Sequence, residues 1–192
     1  MTLIAKAKDF FLQTIKAAGH DKYGLVAHTA EMEKWVYRLK EMHPEADLEI
    51  ILLTVWFHDI SLYLGEEKDD HAVKSERIAR VFLEKANYPK NKVDQVCHCV
   101  RAHRNRDIAP LTLEAKIIAC TDSASHMTGE MYVSIAMAGK FDFLEGKIDR
   151  DYRDIGVFPE LQQKIKPLYD NWKEFVSIYR SLNIVPEKEY NN

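Results

Sequence analysis

Between a small set of breakers, apolar residues recur along this chain every three or four positions. Leu25, Met32, Trp35, Val36 and Leu39 fall on one helical stripe, Ile51 and Val55 on a second, Val96, Cys99 and Val100 on a third, and Leu111, Ala115, Ile118 and Ala119 on a fourth. That spacing is the 3.6-residue period of an amphipathic helix, and no strand-like alternation persists over a useful length. The breaks fall at Gly19, His43-Pro44, Gly65, Pro89, residues 105–110, Gly139, Gly146, Pro159, Pro167 and Pro186. They predict an all-α fold with helices near 3–18, 23–42, 47–62, 69–87, 90–104, 111–137 and 168–183, and shorter ones between 140 and 166. The last helix carries Leu168, Trp172, Phe175, Val176, Tyr179 and Leu182 on one stripe, with Pro167 suited to its first turn. It should pack against the bundle.

Several polar side chains sit on these apolar stripes. His28 shares a face with Met32 and Trp35, His58 ends the most apolar helix, and His103 continues Val96, Cys99 and Val100. Asp122 continues Ala115, Ile118 and Ala119, and His71 shares a face with Ser75, Ile78 and Phe82. Asp59 follows His58 directly. Neighbouring helical residues point about 100° apart, so the two reach one point only where the helix frays or ends. One inward histidine is commonly a core residue with a hydrogen-bond partner, but an inward aspartate needs a stronger reason. Five helices aiming imidazoles and carboxylates inward are explained together by a shared cation, for which these groups are ligands. His98 lies among Asp94, Gln95 and Arg101 and is expected in solvent. His126, one turn after Asp122, is a candidate to stand behind the ligands.

Composition adds limits. The 192 residues suffice for one domain, or one with a helical extension, and for a substantial core. A net charge of −3 gives no general attraction to a nucleic-acid duplex or an anionic membrane. The longest apolar run, Ile50 to Phe57, is too short to span a bilayer. The N-terminal stretch has charges spread through it and reads as an amphipathic helix rather than a leader, which fits a cytoplasmic location. Cys97, Cys99 and Cys120 form no disulfide framework and suit reduced thiols.

An early histidine (AHTAEMEKW), an apolar helix ending in a His-Asp doublet (LLTVWFHDI) and a later aspartate (AKIIACTDS) together resemble the HD superfamily of metal-dependent phosphohydrolases. The stretches DDHAVKSERIARVFL and VDQVCHCVRAHR resemble its further inward histidines, which puts His71 and His103, not His98, in the site. The resemblance covers about residues 23–126 of a single HD-type domain spanning 1–192, with a C-terminal helical extension at about 140–183. It departs from signalling phosphodiesterases of the HD-GYP type, because no Gly-Tyr-Pro element follows His103 and Ile60 is followed by Ser61 and Leu62.

The resemblance implies that His28, His58, Asp59 and Asp122 hold a divalent ion (Mn, Fe, Co, Ni or Zn, with Mg an option), and that His71 and His103 hold a second ion or contact substrate. The implied reaction is hydrolysis of a small phosphate ester, a nucleotide first, by a metal-activated water, with Asp59, His71 and His103 as the catalytic group. Arginines in RAHRNR and cations in KIDRDYR are candidate phosphate contacts, Arg104, Lys147 and Arg150 foremost. The same ligand set resembles di-iron members that oxygenate a polyol or a phosphonate, and HD modules also serve as non-catalytic regulators. A homo-oligomer is compatible with this composition.

Overall fold

A computed structural model describes residues 1–64 and 70–182, and within them every regular element is helical. The order is α1 (Leu3–Ala17), α2 (Leu25–Met42), α3 (Leu48–Phe57), a 3-10 turn (Ile60–Tyr63), α4 (His71–Lys85), α5 (Lys90–Ala102), α6 (Leu113–Thr128), α7 (Met131–Met137), α8 (Phe141–Ile155) and α9 (Pro159–Ser181). The expected breaks at Gly65 and Pro186, and the outermost residues of the helices expected at 69–87 and 168–183, lie outside the described residues.

Short polar residues fix most of the starts. Thr2, Asp47, Asp70 and Thr112 each accept a hydrogen bond from a first-turn N–H of the next helix. Asp21 does the same for α2 across Gly24, taking the N–H groups of Leu25 and Val26 at 2.9 and 2.8 Å. Gly24 holds φ +67°, a conformation that strains any residue with a Cβ.

α3 is the centre of the bundle. Every residue from Ile50 to Phe57 is buried, as suits a helix that is apolar all round. It packs on α1, α2, α5 and α6, while α4 and α5 form an antiparallel pair and α8 joins α6 to α9. Cys97, Cys99 and Cys120 are buried free thiols, and burial pushes all three up to about 12. No helix among the described residues is long and apolar enough to cross a membrane.

Four expected boundaries need correction. The helix expected at 47–62 stops at Phe57, where Asp59 leaves helical geometry (φ −119°, ψ 9°) and a 3-10 turn begins. α4 holds that turn, because the Ser61 N–H donates to Ser75 Oγ at 3.2 Å and Ser61 Oγ donates to the His71 carbonyl at 2.8 Å. The single helix expected at 111–137 is two. It breaks at Gly129, where a Cβ would lie 2.8 Å from the Ser125 carbonyl oxygen. The short helices expected at 140–166 are the 15-residue α8 and the first part of α9. Pro167 is therefore inside α9, not at its start, and the helix runs on because Leu161, Ile165 and Val176 are buried on one side.

Candidate metal centre

The end of α3 makes the site. His58 caps the helix and Asp59 begins the turn, so the break lets two adjacent side chains face one region. α2 brings His28, α4 His71, α5 His103 and α6 Asp122. His28, His58, His103 and Asp122 are all buried, and Asp59 and His71 are half-buried. All six residues expected to face inward are thus brought together from five helices and one turn.

Two groupings overlap in this row. His28, His58 and Asp59 each offer a ligand atom within 4.8 Å of the others, and so do Asp59, His71 and His103. Asp59 belongs to both. Its Oδ2 lies 3.6 Å from His58 Nε2, and its Oδ1 lies 3.3 Å from His71 Nε2 and 3.5 Å from His103 Nε2. One carboxylate thus turns an oxygen to each side.

The hydrogen bonds behind the rings decide where their hydrogens are. His58 Nδ1 is 2.9 Å from the Val55 carbonyl and His103 Nδ1 is 2.7 Å from the Val100 carbonyl. A carbonyl only accepts, so both Nδ1 atoms carry hydrogen. Ser125 Oγ donates to the Asp122 carbonyl at 2.7 Å and therefore accepts from His28 Nδ1 at 3.2 Å. In the neutral rings all three Nε2 atoms then present lone pairs. His28 Nε2 and His58 Nε2 face each other at 3.2 Å, with Asp122 Oδ1 3.1 Å from the first and 3.9 Å from the second. Acceptors converging in this way repel unless a cation lies among them. Asp59 Oδ1 is likewise shut off from solvent without a hydrogen-bond partner. The donor set fits a divalent ion on these grounds.

Positive charge decides the state of both carboxyls. Burial alone would raise them, but charge on the surrounding imidazoles, His58 first at Asp59 and His126 first at Asp122, holds Asp59 below its usual range and Asp122 well below it. A divalent ion would supply that positive charge with the rings neutral. Burial pushes the His103 imidazole down to about 4, so it is neutral near pH 7. Ionised carboxylates and neutral imidazoles are the states that bind metal.

Beside Asp122 a cavity of about 190 Å³ opens, with His126 and Asp151 also in its wall. Arg104 and Arg106 line it from beyond α5, and Lys147, Arg150 and Arg153 from α8. The three cations expected to contact substrate, Arg104, Lys147 and Arg150, thus border one space. Arg104 pairs with Asp70 at 2.7 Å, yet its buried Nε has no partner. Arg150 lies over the Phe143 ring at 5.8 Å. Arg101 is not in this wall; it pairs with Asp107.

Two expectations from the sequence change. His98 is half-buried rather than in open solvent, and its Nε2 accepts from the Leu111 N–H at 3.1 Å. His126 touches the site itself, with Nε2 3.5 Å from Asp122 Oδ1 and its ring stacked on His28. Sequence reasoning missed Asp151 and Tyr132 altogether. For His126 the signal was its i+4 spacing from Asp122. For the other two none existed, because they reach the site only through the docking of α8 and α7.

Among known proteins, a model of the HD domain matches residues 25–127. No curated protein and no solved structure matches the chain.

Proposed function

The chain belongs to the HD domain family, and from that premise we propose that it is a metal-dependent phosphohydrolase acting on a small phosphate ester, with nucleotides the first class to test. The observation that carries the reading is the cavity beside Asp122, where five cationic side chains outnumber the three carboxylates, Asp122, Asp151 and Asp154, that border the same space. A phosphoryl group bearing two negative charges suits such a wall, and arginine forks suit its oxygens.

In this reading His28, His58, Asp59 and Asp122 hold one divalent ion, and Asp59, His71 and His103 hold a second with Asp59 shared. What supports the sharing is the carboxylate turned to both sides, its Oδ1 without a hydrogen-bond partner. A bound divalent ion supplies an acidified water and neutralises charge on a phosphoryl oxygen. The chain supplies the rest. Arg104, Lys147 and Arg150 bind and orient the phosphate, and the Arg104 Nε is a donor still to be satisfied. Positioning and charge stabilisation make up most of what a protein contributes to phosphoryl transfer.

The test is a screen of nucleotides and aryl phosphates with Mn, Co, Ni, Fe or Mg supplied. Phosphate release should fall with chelator and return with metal. Asp122→Asn keeps the side-chain shape and removes the charge, and should lower turnover by about 10²-fold or more. Arg150→Ala should mainly raise KM. If no phosphate ester turns over with any metal, but the reduced iron-loaded protein consumes oxygen with a polyol or a hydroxyphosphonate, the oxygenase reading replaces this one.

A further inference from the structure

Beyond the six inward residues, another imidazole faces the centre. His126 is buried, and its ring lies parallel to His28, with centroids 4.8 Å apart and planes 9° apart. His28, Asp122 and His126 each offer a ligand atom within 4.8 Å of the other two. Behind the ring, Nδ1 is 3.1 Å from Asp151 Oδ2. Asp151 is itself buried; it accepts from the Tyr132 hydroxyl at 2.8 Å and pairs with Lys147 at 3.3 Å.

A carboxylate behind an imidazole keeps the hydrogen on Nδ1, leaves the Nε2 lone pair free and makes it more basic, which is the usual arrangement behind a metal-bound histidine. At His28, His58 and His103 the backing acceptor is a neutral oxygen; at His126 it is a carboxylate. We propose that His126 is a further ligand of this centre, sharing an ion with His28 and Asp122, and that Asp151 positions it. The proposal rests on the reading of His28 and Asp122 as ligands. Two imidazoles and a carboxylate suit Zn, Mn, Fe, Co or Ni.

A rival arrangement exists around the same ring. Lys147 Nζ is 3.0 Å from His126 Nδ1. An ammonium donating there would leave the hydrogen on Nε2, and the ring would not bind an ion. Asp151 opposes this, because a buried carboxylate attracts both the ammonium and the ring N–H to itself.

Cobalt(II) titration of the metal-free, full-length protein separates the two. Its visible absorption reports the ligand set, and competition with a chelator reports affinity, neither of which needs turnover. His126→Ala should shift the absorption and weaken binding about tenfold or more. Asp151→Asn should weaken binding by about tenfold with a smaller spectral change, and Lys147→Met should not weaken it. Wild-type absorption and affinity in His126→Ala would overturn the proposal. If His126→Ala does not fold, unchanged affinity in Asp151→Asn together with weakened affinity in Lys147→Met overturns it instead. A wild-type protein that takes up no cobalt would sink the reading of His28 and Asp122 as ligands, and this proposal with it.

Discussion

Two histidines five positions apart on or beside α5 have different work, and the helix register separates them. His103 continues the buried stripe of Val96, Cys99 and Val100 and is 2% exposed, with Nε2 3.5 Å from Asp59 Oδ1. His98 is turned to the loop before α6, where it accepts from the Leu111 N–H. His103→Ala should therefore remove a second ion or lower turnover at modest cost in fold. His98→Ala should leave metal content unchanged and cost about 1 kcal/mol, the worth of one hydrogen bond. Elemental analysis and thermal melts of both variants check this; metal loss at His98 with none at His103 would reverse the assignment. Five of the six inward residues were legible from the chain because each helix's own apolar stripe points them inward, and Asp59 was legible only through the His-Asp doublet that resembles the HD superfamily. Arg104, Lys147 and Arg150 were legible only as charged positions, since nothing local to RAHRNR or KIDRDYR says that the two segments meet.

At the scale of elements, the informative places are those where a helix does not continue. A continuous helix over 47–62 would point His58 and Asp59 about 100° apart. The break after Phe57, pinned by Ser61 and Ser75, turns them to a common region. Periodicity does not reveal such a break, because Ile60, Ser61 and Leu62 would also suit a helix and the pinning comes from α4, ten or more residues away. Pro167 is the opposite case, a breaker that breaks nothing. It removes one backbone hydrogen bond inside α9 and is held there by the buried Leu161 and Ile165 before it and Val176 after it. Pro167→Ala should therefore stabilise the protein. The helix-interior penalty is about 3 kcal/mol, offset by about 0.4–1 kcal/mol for the greater freedom of the unfolded chain, which leaves a gain of roughly 2–2.5 kcal/mol. A lower melting temperature would show that α9 depends on the ring.

For the whole molecule, the candidate centre is where α2, α3, α4, α5 and α6 converge, while α9 packs chiefly on α8. The family match ends at residue 127 and α8 begins at Phe141, so Lys147, Arg150 and Asp151 come from chain beyond the match. If the centre works as proposed, the metal belongs to the shared core, and the discrimination among substrates belongs to the helices after it. That division predicts how the protein responds to losing its metal. An ion bound only by the native state adds RT ln(1 + [L]/Kd), about 2.7 kcal/mol at a hundredfold excess over Kd. For a chain of this length that corresponds to roughly 5–10 °C in melting temperature. The loss should also be local. Without the cation the lone pairs of His28 and His58 again face each other at 3.2 Å beside Asp122, so the helix segments that carry them should open more often. Hydrogen exchange, measured with and without chelator, should quicken in α2, the end of α3 and α6, and stay nearly constant in α9. Uniform quickening along the chain, or no change while elemental analysis shows the metal gone, would mean that the ion does not join these helices.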